Sequence, residues 1–356
     1  MMRIFYTCTV LLFIALGACG QHKPIKAAPV TVKVAVVIQD PVIPGTGSKR
    51  MHEVFKTPGY SFQWHDPRQL MKAYQDSLNS LSGGVVKYEI VKVYDDDLFF
   101  TRVKGQKELL TLPDVVKLLS EPDWATFKKE GTKFDYNAFI EHYGFCEMRD
   151  KGKINEVWLW SFPYGGTWES TFAGQNAFWL NSEPVEGTSC KDLLTIMGLN
   201  YEREMSFAME SYGHRIESVM RKVYGRWDHK AAQLNNWELF TSYDKITPGK
   251  AQIGNIHFPP NGLKDYDWIN KDTVMTYADR WFDYPDLKAG RPKMVNCQEW
   301  NCTHLGYMSW WYSHIPKFEG INPADGHLNN WWYYVVDYNA AMKKENELKQ
   351  KLKNGK

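Results

Sequence analysis

The sequence lacks an excess of charge of either sign: 43 Lys and Arg stand against 41 Asp and Glu, and the formal net charge is +2. No basic stripe runs along any segment, which argues against a nucleic acid partner. It also lacks, beyond the first eighteen residues, any apolar run approaching the ~20 residues that cross a bilayer as a helix. Familiar catalytic signatures are missing as well: no Gly-x-Ser-x-Gly elbow, no His-Glu-x-x-His, no Walker loop and no EF-hand loop. Gly45-Thr46-Gly47 follows a predicted strand as a dinucleotide loop would. The third glycine is absent and Pro41 and Pro44 interrupt, so the segment is read as a turn and no nucleotide cofactor is expected.

What is present begins at the N-terminus. Arg3 supplies positive charge, Val10 to Leu16 a short apolar core, and Leu16-Gly17-Ala18 small residues before Cys19. The three-part pattern is that of an export signal rather than a membrane span. Leu-Gly-Ala-Cys resembles the lipobox of bacterial lipoproteins, which implies cleavage before Cys19 and lipid on that cysteine. The expected localisation is the cell envelope, lipid-anchored outside the cytoplasm. Gly20 and Gln21 favour the outer membrane in a Gram-negative source. Residues 19–30 read as a flexible tether, 31–341 as a single domain and 342–356 as a polar tail. With Cys8 in the signal and Cys19 lipidated, four cysteines remain: Cys146, Cys190, Cys297 and Cys302. An even number in an exported protein is compatible with two disulfides, and three connectivities stay open. Cys297 and Cys302 are close enough to pair locally. The sharper alternative is a zinc site from Cys297, Cys302, His304 and His314.

Patterning predicts strands at Thr31 to Gln39, Val85 to Val93, Glu156 to Trp160, Ala177 to Asn181, Leu193 to Met197 and Trp331 to Val336. Helices are predicted at Asp66 to Leu81, Leu112 to Leu119, Asp135 to His142 and Glu204 to Val223. The tail from Met342 reads as a solvated helix or a frayed end. Strands alternating with helices imply an α/β fold: a mostly parallel or mixed central sheet with helices on both faces and a loop-rich C-terminal half.

Polar residues concentrate between Trp168 and Asp267. The pieces are Trp168-Glu169-Ser170, Asn200-Tyr201-Glu202-Arg203, Gly213-His214-Arg215-Ile216-Glu217-Ser218 and Gly254 to Asn261. This succession, over about Glu156 to Asp337, resembles a group of uncharacterised secreted bacterial and fungal proteins. The resemblance implies a shared order of motifs and brings no activity with it.

Glu169 and Glu202 follow predicted strands, where α/β sheets gather ligands, and two carboxylates there divide acid and base roles as glycosidases do. Each also suits a loop cap or an ion pair with Arg203 or Arg215. On the helix after Arg203, Glu210, His214 and Glu217 stack on one side, a spacing that converges on one metal ion. They lie opposite the apolar stripe of Met205, Ala208, Tyr212, Ile216, Val219 and Val223, which counts against burial and also suits a solvated face or a ligand-facing role without metal. His257 sits in a loop stiffened by Pro259 and Pro260, flanked by Asn255 and Asn261, as an acid–base group, a ligand or a structural residue. Asp265 and Asp267 read as a calcium site or an Asx turn. Fifteen Trp, twenty Tyr and eighteen Phe supply flat surfaces for sugar stacking, although most belong in a core. Two readings follow: an extracytoplasmic hydrolase-like enzyme acting on glycans, with Glu169, Glu202, Arg203, His214, Arg215 and His257 as its chemistry, or a non-catalytic lipoprotein that binds a glycan or peptide.

Overall fold

The computed structural model describes residues 25–57, 63–120, 131–288 and 290–355. The export signal, Cys19 and the first part of the tether lie outside these residues. Among the described residues no helix is long and apolar enough to cross a membrane.

Strand β1 (Val30–Ile38) is flanked by two parallel neighbours, β2 (Val86–Asp95) and β3 (Glu156–Ser161). Beyond β3 comes parallel β5 (Leu194–Asn200), and β4 (Ser170–Ala173) closes the edge antiparallel to β5. The order is β2-β1-β3-β5-β4, a mixed and mostly parallel sheet. The period of two then sorts side chains between two cores. Val34, Val36, Ile38, Trp158, Trp160, Met197 and Leu199 face one, and Ala35, Val37, Val157, Leu159, Leu194 and Ile196 face the other. Helix α1 (Pro67–Leu81), capped by Asp66, covers the first face with Leu70, Tyr74 and Leu78. Helices α2 (Tyr136–Tyr143) and α3 (Phe145–Asp150) cover the second with Phe139, Ile140 and Phe145. Disulfide Cys146–Cys190 ties α3 to the segment before β5. Helices on both faces of this sheet make the fold α/β, as the alternation of elements implies.

The long helix α4 (Met205–Tyr224) follows β5 and packs on the first face. After it the chain is loop-rich up to α5 (His304–Ser313), β6 (Lys317–Ile321), α6 (Trp331–Val336) and α7 (Tyr338–Asn354).

Four expectations change. Trp331 to Val336 is a helix, not a strand: its apolar side chains point all round and are buried on nearly every side, so the run carries no period to read. Ala177 to Asn181 forms no strand; the pairing falls earlier, on Ser170 to Ala173, so Glu169 leads into β4 instead of leaving a strand end. Residues 25–27 are pinned, since Ala27 N–H donates to Lys317 O at 3.0 Å and Glu319 N–H to Ile25 O at 2.7 Å. The tail is a helix, one of its two expected forms, but it is not solvated all round. Glu345 is buried against Tyr334, His327 and Lys349. Burial works to raise its pKa, but these three partners hold it down at about 2.

Doubly wound sheets usually open a crevice where the strand order reverses, here between the ends of β1 and β3. That place is filled. Ser161 Oγ donates to Gln39 Oε1 at 2.7 Å, Tyr201 Oη donates to Gln39 O at 2.9 Å, and all three residues are buried.

Candidate metal centre

The polar site lies instead along α4, under a roof made by the 254–268 loop and α5. The helix supplies Glu210 and His214 from adjacent turns, as the i,i+4 spacing requires. Their face is largely covered: Glu210 is 5 % exposed, and His214 is only partly open. The loop lies on the helix because position 213 is glycine. A Cβ there would stand 2.2 Å from Ile256 Cδ1 and 2.7 Å from Ile256 Cγ1. Gly213→Ala is therefore expected to cost about 1–3 kcal/mol by overpacking and to lift the loop, weakening any ligand held between loop and helix. Denaturant unfolding and metal titration of the variant check both effects.

The loop is built to present His257. Gly254 turns it at φ +82°, with no room for a side chain beside Phe258 O. Asn255 Oδ1 accepts the backbone N–H groups of His257 and Phe258, each at 3.0 Å. From α5 below, Trp311 Nε1 donates to Gly254 O at 3.0 Å, and Tyr307 Oη lies 2.7 Å from Asn255 O. Asn261 and Asp267 work further along. Asn261 Nδ2 holds Asn270 O and Asp272 O, and Asp267 accepts from Leu263 N–H four residues back, so its side chain closes the 263–267 loop and does not form an Asx turn.

The result is a tight group. His214 Nε2 and His257 Nε2 are 3.1 Å apart, and Glu210 Oε1 is 3.3 Å from His257 Nε2 and 3.7 Å from His214 Nε2. Among the described residues these three form the group of His, Cys, Asp or Glu able to hold a metal ion. Both imidazoles are tethered by their other nitrogen to a carboxylate. His214 Nδ1 lies 2.9 Å from Glu217 Oε2, and His257 Nδ1 lies 3.1 Å from Asp265 Oδ1. A carboxylate on Nδ1 favours the proton there and leaves Nε2 as a lone pair. Two such lone pairs and a carboxylate oxygen then converge, an arrangement that demands positive charge between them. In the metal-free protein a proton on His214 answers that demand. Burial opposes it, yet Glu210 and Glu217 raise the His214 pKa to about 10. Burial likewise works to raise the pKa of Glu210, but the three histidines around it hold it far below the usual carboxylate range.

Glu217 thus has a different place from the one its helical spacing suggests. Its Oε1 accepts Ile256 N–H at 3.0 Å while Oε2 orients His214, so one carboxylate fixes both the loop and the helical imidazole. His257 takes the third position in the group.

His304, missed in this role by sequence reasoning, opens α5 beside the group. Its Nε2 is 3.1 Å from Glu210 Oε2, but the two do not form a hydrogen bond, and both are buried without another hydrogen-bond partner among the described residues. Trp268 stacks on its ring at 3.6 Å and 5°. The zinc alternative through Cys297 and Cys302 is excluded, because the two cysteines are joined as a disulfide and offer no thiolate. His314 lies elsewhere, next to Asp279.

The other candidates divide. Glu169 accepts Asn181 Nδ2 at 2.5 Å and acts electrostatically on His214, so it belongs to the neighbourhood. Arg203 lies over the Phe207 ring, which meets His304 edge-on, and influences Tyr266. Glu202 is held by Thr57 and Asn200 in the loop after β5. Arg215 is fully buried on the opposite side of α4, where Nη2 pairs with Glu156 Oε2 at 2.7 Å and donates to Val335 O at 2.7 Å. It belongs to the fold and not to the site, since one residue along a helix turns a side chain by about 100°. No family model, curated protein or solved structure matches the chain.

Proposed function

We propose that Glu210, His214 and His257 hold a divalent cation of the zinc class, and that the protein is a metal-dependent hydrolase working outside the cytoplasm, attached to a membrane through lipid on Cys19. The observation that carries the metal reading is the convergence of three donor atoms at 3.1, 3.3 and 3.7 Å, with both imidazoles tethered behind. Ligands ~2.1 Å from a tetrahedral ion stand about 3.4 Å from one another, so little movement is needed. Three protein ligands leave a fourth position for water, and a zinc-class cation lowers the pKa of that water to about 7. With such an ion bound, Glu169, which acts electrostatically on His214, would serve as the base toward that water, and Arg203 and the Tyr266 hydroxyl would face negative charge on the substrate. Two disulfides agree with an oxidising compartment.

The test is calorimetric titration of the lipid-free protein, begun after Cys19, with zinc and then with manganese and ferrous iron. One equivalent of zinc taken up with submicromolar Kd is expected. A folded protein that takes up none of the three overturns the metal reading. Polysaccharides and peptides left intact by the loaded protein would make the site a binding one.

A further inference from the structure

Among the α4 positions that are not fully buried, Phe207, His214, Ser218 and Arg221 fall on one line. Phe207 to Ser218 spans eleven residues, or about 16 Å along the helix. The cation ligands sit in the middle of that line. At one end Tyr266 leans on His257 with ring centroids 4.3 Å apart and is 47 % exposed, followed edge-on by Trp268. At the other end Asn181 N–H donates to Ser218 Oγ at 3.2 Å while Asn181 Nδ2 holds Glu169. The pair is therefore placed one turn beyond His214, and the chain next to it carries two exposed indoles, Trp168 directly before Glu169 at 56 % and Trp179 two residues before Asn181 at 51 %. Tyr266 and Asn181 both take left-handed backbone conformations, at φ +60° and +57°. For a tyrosine this is costly and marks a constrained position.

Resting on the metal reading above, we propose that the substrate is a polysaccharide strand laid along this line, with the cation at mid-length and an aromatic platform at either end. Flat, half-exposed Trp and Tyr rings suit the apolar faces of sugar rings, and the Glu169–Asn181 pair offers an acceptor and a donor to neighbouring hydroxyls. A peptide is the rival polymer, and extended peptides usually bind by adding a strand to an open sheet edge. The sheet edge next to the site is β4, and it is already covered. Val185 N–H donates to Phe172 O at 2.8 Å, Ser182 Oγ to Ser170 O at 2.9 Å, and Ser170 Oγ to Leu180 O at 2.9 Å.

The test uses the zinc-loaded protein with β-1,4-linked oligomers of glucose and of N-acetylglucosamine, one to six sugars long, and a hexapeptide of alanine and glycine, followed by tryptophan fluorescence and calorimetry. At least one sugar series is expected to bind at least tenfold more tightly at five sugars than at two. Trp179→Ala and Tyr266→Ala should each weaken the pentamer tenfold or more, and Trp179→Ala should leave zinc affinity unchanged. Zinc uptake without binding of either series, affinity independent of length, or preference for the hexapeptide overturns the proposal. Loss of zinc uptake with length-dependent sugar binding intact would instead sink the metal reading and leave the strand reading standing.

Discussion

His257→Ala is expected to weaken zinc binding about a thousandfold while leaving the fold intact. Structural zinc sites gain on the order of 10–16 kcal/mol from four ligands, so one ligand carries up to about 4 kcal/mol, or three orders of magnitude. His257 stands on a loop already held by Asn255, Glu217, Tyr307 and Trp311, none of which needs its ring. Glu217→Gln should cost less, about 10–100-fold, because it disturbs the orientation of His214 without removing a ligand. Binding should strengthen as pH rises, since the cation displaces the proton that Glu210 and Glu217 hold on His214. Calorimetry across pH on the three proteins reads all of this. Equal zinc affinity in His257→Ala and the parent protein would exclude the proposed ligand set.

The second large effect concerns Arg215. Removing one partner of a buried ion pair strands the other charge, so Arg215→Met should destabilise the protein by about 3–5 kcal/mol, lowering Tm on the order of 6 °C at this chain length. Glu156→Gln/Arg215→Met should recover most of that loss. Glutamine keeps an acceptor for Trp158 Nε1, which now donates to Glu156 Oε1 at 2.6 Å, and carries no charge to strand. Zinc affinity should be unchanged in both variants. If Arg215→Met kept its stability and lost zinc binding, the separation of Arg215 from the site would be wrong.

These two residues show how far the sequence could be read. His214 and Arg215 are neighbours in one polar motif, and both read as chemistry. A helix then turned one toward Glu210 and His257 and the other into the core. The stacking of Glu210, His214 and Glu217 was legible as geometry, and so was the choice between a metal and a solvated face. Whether the face is solvated depended on whether something covered it, and the cover comes from residues 254–268, some forty positions away. The substitution of His257 for Glu217 has the same origin. The sheet was more legible, since its strands bury alternate residues on two faces and each half-pattern repeats. Trp331 to Val336 was not, because a segment buried all round has no polar side to set its period. His304 carried no local signal beyond its proximity to Cys302, and only the approach of α5 to Glu210 gives it a place.

The pairing of residues 25–27 with β6 also sets a distance. With lipid on Cys19, six residue steps separate the anchor from Ile25, and a chain of that length reaches at most about 20 Å. Under the proposed anchor the leash would be shorter than a tether running to residue 30, and it would be tied to the β6 side of the domain. Such a leash would keep the protein in a thin layer above the bilayer, and the proposed polymer would have to lie in that layer.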